Sequence, residues 1–81
     1  SMEGLGIFPD DILVVDRSIE PKHGHIVMCL LDGGYTIKRL ATRGRRIELH
    51  SGNPDHPPII LSPEHELQVW GVVLWSITRH G

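Results

Sequence analysis

Several things are scarce in this sequence, and each shortage narrows what the chain can do. There is one cysteine, Cys29, so no intrachain disulfide can form and no pair of thiolates is available to hold zinc. This accords with a reducing, cytoplasmic setting. No apolar run approaches the roughly 18 residues of a membrane-spanning helix, and no basic-then-apolar leader opens the chain, so neither membrane insertion nor secretion is expected. The aromatic residues are Phe8, Tyr35, Trp70 and Trp75, too few to make a stacking platform for nucleobases. Neither sign of charge dominates: eight Lys and Arg against ten Asp and Glu give a formal net charge of −2, without the basic footprint of an autonomous DNA-binding domain. No stretch keeps a 3.6-residue apolar period for three turns, which leaves at most a turn of helix near residues 1–5 or 63–66. A Gly-rich phosphate loop, a metalloprotease helix with paired histidines and a Gly-x-Ser-x-Gly elbow are also missing.

What is present reads as β-structure. With 81 residues and 40% hydrophobic content, one domain spanning residues 1–81 with a thin core is expected. Residues 11–16 and 25–31 are short runs rich in branched side chains and bounded by turn formers, the pattern of strands. The second run is apolar on both alternating faces, which suits a central strand buried on each side. Asp32-Gly33-Gly34 is a tight-turn signal leading into a strand over 35–41, and residues 42–45 turn the chain into another over 46–50. Two successive hairpins follow. Residues 51–58, with Asn53-Pro54 and Pro57-Pro58, read as an ordered loop, and pairing resumes at Ile59. The tail from Leu67 to Ile77 is apolar at almost every position, as a long strand covered on both sides would be. Strict alternation places Trp70, Val72 and Leu74 on one face and Val69, Val73, Trp75 and Ile77 on the other. The fold class is therefore mainly β: a small domain of curled antiparallel strands and hairpins.

Chemistry is harder to find in the residues alone. Six histidines are present. His23 and His25 lie two apart at a strand entrance, yet no cysteine or carboxylate cluster accompanies them, so no metal site is expected. His50, His56, His65 and His80 fall in or beside polar segments and read as solvated side chains. Arg39, Arg43, Arg45 and Arg46 crowd one hairpin, and a nucleic-acid-binding barrel would use them. No aromatics interleave with them, so a solvated hairpin is the preferred reading and no direct nucleic-acid partner is expected.

A set of segments nevertheless stands out: Ser1-Met-Glu-Gly-Leu-Gly-Ile7, then Asp10-Asp-Ile-Leu-Val-Val-Asp16, Gly24-His-Ile-Val27 and Tyr35-Thr-Ile-Lys-Arg-Leu40. With Asn53-Pro54, Pro58-Ile59-Ile60 and Val69-Trp-Gly-Val-Val73, they resemble the signature of the LexA repressor and UmuD self-cleaving serine peptidases, across nearly the whole chain. The resemblance implies the peptidase fold of that family, Ser1 as nucleophile and Lys38 as general base, and no cofactor. It further implies a homodimer paired through the carboxyl-terminal region and self-cleavage of an upstream segment stimulated by the RecA–single-stranded DNA filament. The parent would be a UmuD-like partner of a translesion DNA polymerase, or else a LexA-like or phage-type repressor. A domain that only dimerises and docks, with the Ser-Lys pair idle, is the third reading.

The chemistry of such a pair is self-consistent. A serine hydroxyl becomes nucleophilic when a neighbouring base takes its proton, and lysine is a base only when neutral. Burial of Lys38 in a strand would disfavour its ammonium form relative to the usual value of about 10.4. Without the resemblance, Lys38 reads as a solvent-facing strand residue and Ser1 as a polar terminus. The resemblance reverses that preference.

Overall fold

The computed structural model describes residues 3–81. A 3-10 turn, η1 (Glu3–Leu5), precedes six strands: β1 (Ile12–Asp16), β2 (Ile26–Leu31), β3 (Gly34–Arg43), β4 (Arg46–His50), β5 (Ile59–Ile60) and β6 (Leu67–Ile77). They form one antiparallel sheet in the order β1-β6-β2-β3-β4-β5. The expectation of a mainly β domain with two successive hairpins holds.

Turn chemistry sets the register. Leu31 pairs with Gly34 across a two-residue loop in which Asp32 (φ 48°) and Gly33 (φ 87°) both take positive φ, the type I′ geometry that matches strand twist. In the next hairpin Arg43 pairs with Arg46, and only Gly44 takes the positive φ, at 61°. Both hairpins run without a bulge, so cross-strand partners share a face along their whole length. The loop over 51–58 is ordered by its own polar side chains: Asn53 Oδ1 accepts from Asp55 N at 2.9 Å and Ser51 Oγ from Asn53 N at 3.3 Å.

The core lies on one side of the central strands, where Val27, Cys29 and Val72 are buried and Ile19, Leu67 and Val69 pack against them; Leu40 and Leu49 are buried further along the sheet. Burial on β2 is one-sided in degree. Val27 and Cys29 are fully enclosed while Ile26, Met28 and Leu30 are half-buried, so the second face is the less covered one. The tail strand departs further from expectation. Its outer half is uncovered, with Leu74, Trp75 and Ile77 46%, 68% and 54% exposed. Two irregularities also break its alternation. Between Met28↔Gly71 and Cys29↔Val69 the extra residue is Trp70, and between Val14↔Trp75 and Val15↔Val73 it is Leu74. Each extra residue shifts the facing by one, so the faces assigned by strict alternation do not hold along the strand. Arg17 lies over the Trp70 ring, 4.5 Å from its centroid, and donates from Nε to the Trp70 carbonyl at 3.3 Å.

Candidate active site

Lys38 lies in β3 opposite Val27, and Cys29 lies opposite Thr36. Cross-strand partners and alternate residues share a face, so Val27, Cys29, Thr36 and Lys38 project from the same side of the sheet, the side that carries the core. Lys38 is half-buried there while Arg39, on the other face, is exposed. A lysine on the apolar side of a central strand is uncommon, because lysines are mostly found in full contact with solvent. Next to it Cys29 has no exposure. Burial pushes the Cys29 thiol up, with the Lys38 charge acting in the opposite direction. The neighbour of Lys38 on this face is thus a neutral thiol and not a carboxylate.

The amino-terminal turn packs against the loop that follows β4. Arg39 pairs with His50, and the chain leaves β4 there into the 51–58 loop. Gly4 rests directly on the Gly52 carbonyl, so closely that a methyl group on Gly4 would overlap it. Glu3, Gly4, Gly52, Asn53 and Pro54 line a groove of about 330 Å³ between the turn and the loop. Ile7, 7% exposed, anchors the segment just after the turn. Asp11 Oδ2 accepts from the Phe8 amide at 2.9 Å and closes the bend into β1. Of the two residues expected to carry catalysis, Lys38 is placed on the core face, and Ser1 lies outside the described residues.

The histidines depart from the sequence reading in detail. His50 is not a freely solvated side chain: its Nε2 lies 2.9 Å from Glu48 Oε1, and Glu48 is 7% exposed. Arg43 Nε approaches the same oxygen at 3.4 Å and Arg46 Nη1 the other at 3.7 Å. The His50 hydrogen bond, then Arg43, holds the Glu48 carboxyl below the ordinary carboxylate range. His23 Nδ1 accepts from Thr42 N at 3.0 Å and His25 Nδ1 from Lys22 N at 2.9 Å. Each thus uses a metal-ligating nitrogen to tie down backbone: His23 fastens the β1–β2 connection to β3, and His25 closes a turn within that connection. His65 does the same for Ser62 N at 3.1 Å.

Two features of the site escaped the sequence. Cys29 reads from the sequence as a residue of a buried strand and a marker of redox setting, and its place beside Lys38 comes from the register that puts positions 27, 29, 36 and 38 on one face. The Gly4–Gly52 approach joins residues 48 positions apart, and no local signal announces it.

A family model described as Peptidase S24-like matches residues 1–74. Among curated proteins, the LexA repressor of Syntrophotalea carbinolica is 41% identical over 80 residues, covering 99% of this chain and 39% of its own length. Protein MucA of Salmonella typhimurium is 41% identical over 81 residues, covering 99% of this chain and 55% of its own length. The chain spans between about two fifths and just over half the length of these relatives.

Proposed function

Because this chain belongs to the Peptidase S24-like family, we propose that it is the self-cleaving serine-peptidase domain of a protein of the SOS response, with Ser1 as nucleophile and Lys38 as general base. The observation that carries this reading is Lys38 itself, half-buried on the core face beside Val27 and a neutral thiol, in a segment that the family match covers together with Ser1. Neutral Lys38 takes the proton from the Ser1 hydroxyl as its oxygen attacks a peptide carbonyl carbon. The C–N bond then breaks, the proton passes to the leaving amine, and water hydrolyses the resulting ester. The groove between η1 and the 51–58 loop is the place for the strand being cut, and backbone N–H groups around it would stabilise the oxyanion.

The substrate in this reading is the parent's own upstream segment, and the RecA–single-stranded DNA filament promotes the conformation that is cut. The parent we favour is a UmuD-like partner of a translesion DNA polymerase, acting in the cytoplasm, on the resemblance of the Val69–Trp75 segment. A repressor is the second reading, favoured by the LexA repressor that matches at 41% identity over 80 residues. The domain works as a homodimer. Leu74, Trp75 and Ile77 of β6, with Ile12 (63% exposed) and Val14 (43%) of the edge strand β1, form an uncovered apolar margin. A curled sheet does not enclose it within one chain, and a lasting dimer would bury more than about 1,000 Å² in total.

The experiment restores an upstream segment and follows the appearance of two fragments on a gel. Ser1→Ala and Lys38→Ala each abolish cleavage, and the rate in the parent rises with pH because only the neutral amine accepts a proton. Cleavage that persists in either variant at high pH refutes the assignment. Sedimentation at micromolar concentration tests the dimer: the parent runs at twice the mass of one chain and Trp75→Glu at the mass of one.

A further inference from the structure

The face of the sheet opposite Lys38 carries a cationic stripe that the peptidase reading does not use. On β3, residues 39, 41 and 43 share that face, and on β4, residues 46, 48 and 50 do. The pairs are Arg39↔His50, Ala41↔Glu48 and Arg43↔Arg46. The last sets two guanidinium groups opposite each other, an arrangement that disfavours the pairing unless an anion lies between. Glu48 is the anion supplied from within, and it serves Arg43, Arg46 and His50. Arg39 takes part in none of the ion pairs among the described residues. Ala41 (8% exposed) and Glu48 (7%) are buried on this face, while the side chains of Arg43 and Arg46 stay 64% and 56% exposed. The Arg43 and Arg46 guanidinium groups reach Glu48 and still keep most of their surface in solvent, where a further anion can approach them.

Charge along the chain is segregated to match. Four of the eight cationic residues and one of the ten acidic ones fall within residues 39–48, leaving out Lys38, which faces the other way. That segment carries +3, and the remainder carries −5 to bring the chain to −2. We propose that this stripe, Arg39, Arg43 and Arg46 with Arg45 at the hairpin tip, binds the phosphodiester backbone of nucleic acid without reading its bases. This departs from the expectation that the hairpin is merely solvated, which rested on the missing aromatics. Those are needed to stack bases, whereas phosphates need only oriented guanidinium groups. Arg39 and Arg43 stand four residues apart, about 13 Å along the strand. Duplex DNA presents one charge per about 1.7 Å of axis, so the stripe can span several phosphates.

The test uses the 81-residue chain and a fluorescently labelled single-stranded oligonucleotide of mixed sequence, its duplex, and polyglutamate as a non-nucleic polyanion, read by anisotropy. Binding is expected to be independent of base sequence and to weaken with salt, with a log–log slope of about −2 to −3 for three neutralised phosphates. Arg39→Ala, Arg43→Ala and Arg46→Ala each lower the slope by about one. Arg79→Ala, which removes the same charge elsewhere, leaves binding unchanged. Glu48→Gln tightens binding, because it frees the stripe of its one internal anion, and circular dichroism verifies that each variant is folded. Absence of salt-dependent binding at about 50 mM salt, an equal loss in Arg79→Ala, or tighter binding of polyglutamate than of either oligonucleotide overturns the proposal. The stripe and Lys38 lie on opposite faces, so gel-monitored self-cleavage of the restored protein is unchanged in the arginine variants whichever way binding falls.

Discussion

Gly4→Ala tests whether the seat of the amino-terminal turn governs activity. An ideal Cβ on Gly4 would overlap the Gly52 carbonyl oxygen and come within 2.9 Å of its carbon and 3.2 Å of its Cα. All three are backbone atoms in a loop held by the Asn53 and Ser51 hydrogen bonds, so no side chain can rotate aside. Overpacking of this kind costs about 1–3 kcal/mol, and the cheapest relief is to lift η1 off the loop while Ile7 keeps the chain attached. If cleavage requires the seated turn, the competent fraction falls by roughly 5- to 150-fold, since each 1.36 kcal/mol is a factor of ten. The core around Val27, Cys29, Leu49 and Val72 lies apart from the contact, and the urea midpoint should move only slightly. The assay is single-turnover self-cleavage of a protein with its upstream segment restored, beside urea unfolding of the same sample. Gly34→Ala is the control: its nearest neighbour, the Leu31 carbonyl oxygen at 3.8 Å, is an ordinary contact. A Gly4→Ala protein that is folded and cleaves within about twofold of the parent would refute the argument, because a strained seat would lower the rate further.

Three other perturbations follow from the described geometry. Leu49→Ala removes the largest side chain with no exposure and should cost about 2–5 kcal/mol in urea unfolding, a large share of the stability of so small a domain; a loss under about 1 kcal/mol would mean that the sheet collapses into the space. Glu48→Gln should destabilise at neutral pH. The folded state holds the Glu48 carboxyl below its usual value of 4.5, so its contribution is present above that value and is lost as pH falls through the lower folded value. The stability gap between variant and parent should accordingly close with acidification below about pH 4.5, and a gap that widens there would contradict the ion-pair account. Cys29 should resist thiol reagents in the native protein and react at once in denaturant, since it is fully enclosed and burial favours the neutral thiol; rapid native labelling would show that the core opens.

Much of this protein was determined by local chemistry and is legible without coordinates. The glycines of Asp32-Gly33-Gly34 and of residues 42–45 announce two hairpin turns, though the structure tightens the second to Gly44-Arg45; branched runs dictate strands, and the prolines of the 51–58 loop forbid a ladder there. Each signal acts over a few residues through allowed dihedrals and missing donors. Lys38 could be singled out from its motif, and its strand was evident from Tyr35-Thr-Ile-Lys-Arg-Leu40. What only the tertiary structure decided depends on contacts between distant segments. β6 inserts between β1 and β2, its extra residues at Trp70 and Leu74 break the alternation, and Gly4 seats on Gly52. His50 and two arginines converge on Glu48 because the β3–β4 register puts them on one face. Which face of β3 meets the core is likewise a property of the assembled sheet. A period of two assigns residues to two sides, but only packing chooses the side that loses water, and here that choice places Lys38 against Val27 and Cys29 and leaves Arg39 in solvent.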